Sequence, residues 1–420
     1  MANNTLTADV IAKIALPILE NELGVINKMY RAHEEEFSST VNGYKKGDTI
    51  SIRRPADFTI RSGATASSQD VIEGKTTLTI DQQCGVDFQF SSTDLTLKVE
   101  DMASRIVKPA MSVIANYMAS DVLTQMYRGA YNVVGAWGNQ VNSFADWVKV
   151  PERLDEMSVP PSERSAIMCP NDFYGLVGAQ TGLFAPALVS SAYTSGDLGN
   201  LAGISTMMSQ VVPAHTVGPM GGTPLVNGAS QNVTYDTAKN AWTQSLITDG
   251  WTASAASRVK AGDVFTLYAA GTSGAKIKMV NAKTKAATDI DQQFVVTADG
   301  SSDGSGNLTL TISPPIITSG PHQTVNAAPA DNAGLVFAGT ASTAYRQNLA
   351  FHKNAMALAI VPMEMPAAAY GGSRQSYKNI SVRLIPSYDA TNDISKWRMD
   401  VLYGRRLIDQ RLALRFAGTA

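Results

Sequence analysis

Between Val99 and Arg128 the apolar residues Val107, Met111, Ile114, Met118, Val122 and Met126 recur every three or four positions. That is the period of one helix face, and Ala110, Val113, Tyr117 and Leu123 are expected to widen it. Glu100 and Asp101 suit the positive end of a helix dipole, while Arg128 and Gly129 supply a basic last turn and a stop. Pro109 cannot donate within a helix, so either a short helix precedes it and a long one starts near it, or one helix kinks there. At the N-terminus, Thr7 is placed to cap a helix with Asp9 in its first turn and Val10, Ile11, Ile14 and Ile18 on one face. Pro17 limits or kinks that helix. Leu23–Tyr30 continues the apolar pattern into Glu34, Glu35 and Glu36, read as a solvated face. Residues 1–44 are too short to enclose a core and too apolar for water, so this arm requires a partner surface.

Alternation takes over at Thr49–Arg54 and carries past Pro55, Phe58 and Ile60 to Gly63. After a polar tip over 64–70, Lys75–Ile80 returns and Val86–Phe90 alternates again, so residues 45–92 read as a long β-hairpin. Such a ribbon is marginal alone and must lie against something. Ala166–Cys169 reads as a buried strand, Asn171 opens a helix ending near Gly182, and loop with short helix fills the way to His215. From Gly218 onward only short strands are expected: 231–235, 264–268, 275–280, 293–297 and 308–312, with Asp299–Asn307 as a hairpin turn. Helix is expected to resume at Thr343–Leu349, which makes the β region an insertion. Ile380–Ile385 and Trp397–Tyr403 read as paired strands, and Leu407–Phe416 as the last strand.

Composition narrows the classes. The chain has 420 residues, enough for two or three domains, and 34 basic against 36 acidic residues. That balance argues against a nucleic-acid binder working through a basic patch. The cysteines, Cys84 and Cys169, have no metal-ligand spacing and exclude a disulfide framework. No signal peptide and no apolar run of membrane-spanning length is visible, so no membrane partner is expected. Gly300-Ser-Ser-Asp-Gly304 matches the G-x-S-x-G pattern, but a nucleophile elbow needs a helix after the turn and strand-like segments flank this one. His33, His215, His322 and His352 form no metal-binding pair, and no phosphate-binding glycine loop occurs. No enzyme activity and no cofactor are expected.

The order of these pieces, arm, hairpin, long helix, inserted β region and final strands, resembles the major capsid proteins of tailed bacteriophages. Within them it is similar to the podovirus coat-protein group with an extra β-barrel. Phe90–Leu97, Lys260–Phe265, Gln292–Asp299, Ile312–Ile317, Asn348–Lys353, Val361–Pro366, Arg374–Val382 and Asp400–Gly404 carry the likeness, in order along nearly the whole chain. The resemblance implies an α+β, Hong Kong 97-like capsid fold with an inserted antiparallel β-barrel. Its parts would be an arm (1–44), an extended loop (45–92), a peripheral domain with a spine helix (93–150), an axial domain (151–222, returning over 343–375), the insertion (223–342) and closing strands (376–420).

It also implies self-assembly as hexamers and pentamers into an icosahedral head around packaged double-stranded DNA, with expansion on maturation. A separate scaffolding protein, a portal protein and DNA held without sequence-specific binding are the implied partners. The location would be the virion, and host cytoplasm during assembly. The arm would embrace a neighbouring subunit, and with the chain starting at the arm, no fused scaffold or cleaved pro-segment is expected. Arg53, Arg54, Arg61, Glu34, Glu35 and Glu36 are candidate inter-subunit contacts. Lys98, Arg105 and Lys108 face either the shell interior or plain solvent. Lys45, Lys46 and Lys75 have no evident cross-linking partner, so no covalent cross-link is expected. A β-rich adhesin or carbohydrate-binding protein using residues 223–340 is the alternative, weakened by the long helix and the arm.

Overall fold

A computed structural model describes residues 8–37, 44–65, 68–91, 103–180, 196, 198–366, 371–377, 380–392 and 394–418. In chain order its first elements are α1 (Ala8–Glu22), β1 (Thr49–Arg53), β2 (Lys75–Thr79), β3 (Gln82–Ser91), α2 (Lys108–Gly129), β4 (Asn132–Val134), α3 (Phe144–Glu156), β5 (Arg164–Met168) and α4 (Pro170–Gln180). Then come β6 (Asn200–Leu201), β7 (Ile204–Met208), β8 (Ala214–Thr216), β9 (Gly222–Val226), α5 (Tyr235–Ala238) and β10 (Gln244–Trp251). Next are β11 (Val264–Leu267), β12 (Lys278–Val280), β13 (Ala287–Asp291), β14 (Gln293–Val296), β15 (Leu308–Ser313) and β16 (Leu335–Phe337). The chain closes through β17 (Ala344–His352), β18 (Met356–Val361), β19 (Ser373–Tyr377), β20 (Ile380–Asp389), β21 (Ile394–Leu407) and β22 (Ala413–Ala417).

Two compact units result: Met1–Ser51, Thr77–Val122 and Met356–Arg406 form one, and Ile52–Thr76, Leu123–Ala355 and Leu407–Ala420 the other. The first holds a sheet ordered β18-β21-β20-β19, with β3 also paired to β21 from Ser91–Ile394 to Gln82–Tyr403. The β20–β21 hairpin appears where alternation placed it, in register from Arg383–Asp400 to Asp389–Ile394. Helix α1 packs on β19 and β20. Its buried face is Ile11, Ala12, Ala15, Leu16 and Leu19, whereas Ile14 and Ile18 are only half-buried, one position off the expected stripe. Pro17 is exposed and the helix runs through it. Thr7 and the side chain of Val10 lie outside the described residues. The partner surface that the helix of the arm required is therefore supplied by this chain's own sheet.

Helix α2 resolves the Pro109 question. A π-helical turn over Ala103–Val107 leads in, and Pro109 stands in the first turn of the α-helix, where its missing N–H costs nothing. Met111, Ile114, Met118, Val122 and Met126 are all at or below 2% exposure. Val113 and Tyr117 are not in that face: they are 60% and 53% exposed. At roughly 100° per residue they fall on the far side from Met111, and Ala115, Ala119 and Leu123 widen the stripe instead. Glu100 and Asp101 lie outside the described residues.

The expected long hairpin divides. β1 and β2 form a two-stranded ribbon, residues 54–74 contain no strand among those described, and β3 leaves to pair with β21. The ribbon stops where Pro55 forfeits a donor; its last rung is Arg54 N–H to Gly74 O, 2.8 Å.

In the second unit a mixed sheet runs β4-β22-β17-β5-β7-β6, with β8 added to β17. Trp147 of α3, fully buried, meets the ring of Phe416 edge-on at 5.9 Å in the core of this layer. Ser143 caps α3, its hydroxyl accepting from Asp146 N–H at 3.1 Å. Residues 344–349 are strand, not the expected helix, and three further strands occupy the supposed loop at 200–216. Strand β17 is paired on both edges and buried nearly throughout, so it carries no alternation to read.

Between β8 and β17 lies the all-antiparallel sheet β16-β11-β14-β15-β10-β9. Its core includes Leu246, Phe265, Phe294, Leu310 and Ile312. The two edge strands meet through a Leu225–Gly334 bridge, where Val226 N–H donates to Ala333 O at 2.9 Å. Residues 231–234 are not strand: they lead into α5, and the side chain of Gln231 ties Asn227 O and Ile247 instead.

Candidate assembly surfaces

Ser302, the centre of the G-x-S-x-G match, is held by structural bonds. Its hydroxyl donates to Thr252 O at 2.6 Å and accepts from Ala255 N–H at 3.2 Å. The next element is strand β15, so no elbow forms. Among the described residues no group of three or more His, Cys, Asp or Glu converges as a metal site. Burial pushes the Cys84 thiol up to about 12 and the Cys169 thiol up to about 11, and Cys169 lies 3.0 Å from Asp172. Such shifts hold both sulfurs in the thiol form at neutral pH, which does not suit a nucleophile.

The charged residues singled out as contacts separate sharply. Arg53 is exposed and pairs with Glu73 across the ribbon at 3.3 Å. Arg54 sets its guanidinium 5.7 Å from the Trp242 ring. Arg61 is exposed and bonds back to its own loop at Thr65 O, 3.0 Å. Glu34 is no rim residue: it is 5% exposed, held by two bonds from Arg31 at 2.8 and 2.9 Å, and accepts Ile360 N–H at 3.2 Å. The run of three glutamates misled because burial of its first member depends on a strand more than three hundred residues away. The side chains of Glu35 and Glu36, and the whole of Lys98, lie outside the described residues. Arg105 and Lys108 are exposed.

Apolar exposure is more informative than charge. On the loop beyond the ribbon Phe58, Ile60 and Val71 are 55%, 99% and 65% exposed. In the first unit an open concavity of about 380 Å³ on the β3–β21–β20 face is lined by Phe88, Ile385 and Trp397, with Lys396, Arg398 and Asp87 around it. Val113 and Tyr117, one turn apart on α2, form another apolar pair. Gathered in patches, exposed apolar positions of this kind are candidate contact surfaces.

Two internal polar clusters hold the units in shape, and sequence reading missed both. In the second unit His215 Nε2 lies 2.8 Å from Asp263 Oδ1, and Asp263 also accepts Gly218 N–H and Lys260 N–H. Arg415, 1% exposed, donates to Gly262 O at 2.9 Å and Gln347 Oε1 at 3.2 Å, with the Tyr127 and Trp137 rings within 6 Å. Burial pulls the Arg415 guanidinium down to about 10. Gly262 has φ +109°, and a Cβ there would strike Tyr127 at 2.9 Å, so the loop approaches only as glycine. In the first unit Arg405 bonds Asp121 at 2.8 Å and Asp81 at 3.3 Å, while Tyr403 donates to Asp121 at 2.7 Å. These partners are scattered in sequence and carry no spacing signal.

Residues 3–413 match the family described as P22 coat protein, gene protein 5. No curated protein matches the chain. Among solved structures the chain is similar to one from Mycobacterium phage Che8, 11% identical over 93% of this chain and 90% of that one, with a TM-score of 0.47. It is also similar to the capsid of cyanophage P-SCSP1u (11% identity, 89% and 84% covered, TM-score 0.42). The capsid of Ralstonia phage GP4 is a third (9% identity, 94% and 87% covered, TM-score 0.41).

Proposed function

The chain belongs to the P22 coat protein family and is a tailed-phage major capsid protein, and from that premise we propose how it builds a head. Copies join as hexamers and pentamers into an icosahedral shell that encloses packaged double-stranded DNA and expands on maturation. Assembly takes place in the host cytoplasm on a separate scaffolding protein, around a portal protein, without catalysis by this chain and without cross-links. The observation that carries this reading is the family match over 3–413.

In this reading the fold is Hong Kong 97-like, with α2 as the spine helix and the ribbon with residues 54–74 as the extended loop. The sheet around β17 is the axial layer. The β9–β16 region is the inserted barrel, a reading supported by the Leu225–Gly334 bridge between its edge strands. The near-neutral charge of the chain suits a shell that encloses DNA without binding it tightly, with Arg105 and Lys108 as candidate residues facing DNA, and Arg53, Arg54 and Arg61 as candidate contacts between copies. Each contact is weak, and the symmetry of the shell multiplies it.

Sedimentation velocity of the purified chain with and without a scaffolding protein tests the proposal. A fast boundary of closed particles is expected when both are present. A chain that remains at one to three copies in both samples would refute it.

A further inference from the structure

Strand β18 is at one end of its sheet order, and an unpaired strand edge is a template for another chain. Here the edge is occupied by residues from the N-terminal side. Tyr30 N–H donates to Met356 O at 3.1 Å, and Leu358 N–H donates to Tyr30 O at 3.0 Å, as a short parallel bridge. Two residues on, Ile360 N–H donates to the Glu34 carboxylate at 3.2 Å, a side-chain acceptor where Met356 and Leu358 meet backbone. Beyond β18, Tyr44 N–H donates to Pro362 O at 2.8 Å and Glu364 N–H to Tyr44 O at 3.2 Å. At this point of the edge a side chain stands in for a carbonyl.

That side chain is a poor choice for a permanent seal. A neutral acceptor would satisfy Ile360 without desolvating a charge, whereas Glu34 is buried and is compensated chiefly by Arg31, itself bonded to Asn27 Oδ1 at 3.1 Å. We propose that residues 30–37 are a releasable strap over the β18 edge, with Glu34 as its proton-sensitive clasp. Lifting the strap bares Leu358 N–H, Ile360 N–H and Met356 O, so that the β18 edge changes from a sealed to an open state.

Burial raises the Glu34 carboxyl to about 7, against the opposing effects of Arg31 and Ile360 N–H. β18 reads Met-Ala-Leu-Ala-Ile-Val and brings no titratable side chain to the site. Arg31 is the charged group that faces Glu34, and His33 is the neighbouring ionisable residue of the strap, its ring edge-on to Tyr30 at 5.1 Å. Lys45 and Glu364, paired at 3.5 Å, lie at the exposed Tyr44 end. A carboxyl that is raised when docked and ordinary when released favours docking at low pH. The docked state is then weakened as pH rises through about 7.

Hydrogen–deuterium exchange on the full chain, corrected for intrinsic rates, tests this at pH 6 and pH 8. The amides of Leu358 and Ile360 should lose about tenfold in protection from pH 6 to pH 8. Those of β5, in the other unit, should not change. Glu34→Gln should abolish the difference, His33→Gln should keep it, and Glu34→Ala should lower protection of Ile360 at both pH values. Equal protection of the wild-type edge at the two pH values would overturn the proposal. So would a Glu34→Gln chain that still responds.

Discussion

Arg415 is the residue whose loss should be felt most in the second unit. Arg415→Ala strips packing from two aromatic rings and leaves Gly262 O and Gln347 unpaired, so a cost of about 2–4 kcal/mol is expected in urea denaturation. A change below about 0.5 kcal/mol would mean the cluster carries no stability. His322 gives a signed pH test. It stacks on Tyr235 at 3.5 Å and is held below its usual 6.5 first by burial, with Asp57 opposing and Arg411 and Lys285 assisting. The unfolded chain therefore takes up a proton that the folded chain resists, and this contribution, complete above pH 6.5, is lost as pH falls below it. His322→Gln should flatten the fall in urea midpoint below pH 6.5; an unchanged slope would assign the fall elsewhere. The thiols offer a simpler check. Cys84 and Cys169, pushed up to about 12 and about 11, should resist alkylation in the folded chain at pH 7.5 and both react in urea. Fast native labelling of the half-buried Cys84 or the buried Cys169 would contradict these raised values.

Helix α2 shows what periodicity can and cannot fix at the level of an element. Its length and buried methionines were legible from the three–four spacing, but the edge of the stripe was not, because Val113 and Tyr117 are apolar on the exposed side. Met118→Ala should cost about 2–5 kcal/mol, while Val113→Ser with Tyr117→Ser should stay within about 0.5 kcal/mol per site in the unassembled chain. The reverse ranking would place the helix the other way round. Strands β20 and β21 were legible where alternation survives, as at Lys396, Trp397, Arg398 and Met399, which are exposed and buried in turn. β17 was not, since pairing on both edges and burial on both faces erase the alternation. Residues 200–216 hide strands of two to five residues, too short to declare a period. The polar clusters had no signal at all: Tyr127, His215, Gly262, Gln347 and Arg415 meet only after the chain has folded.

Over the whole molecule the family's identity was readable from short segments in order, although two of the inferred roles changed once the chain was folded. The arm helix buries its apolar face on β19 and β20 of its own chain, and Glu34 faces inward. On the assembly proposed above, the candidate surfaces for other copies are the exposed apolar set, Phe58, Ile60 and Val71 on one unit and the Phe88–Trp397 concavity on the other. In a shell, symmetry multiplies contacts that are each weak. The most direct measurement is electron cryomicroscopy of particles purified from cells expressing this chain with a scaffolding protein. Closed icosahedral shells built of this chain in hexamers and pentamers are the predicted result. Only monomers, trimers or amorphous aggregates, with or without the scaffold, would contradict the account.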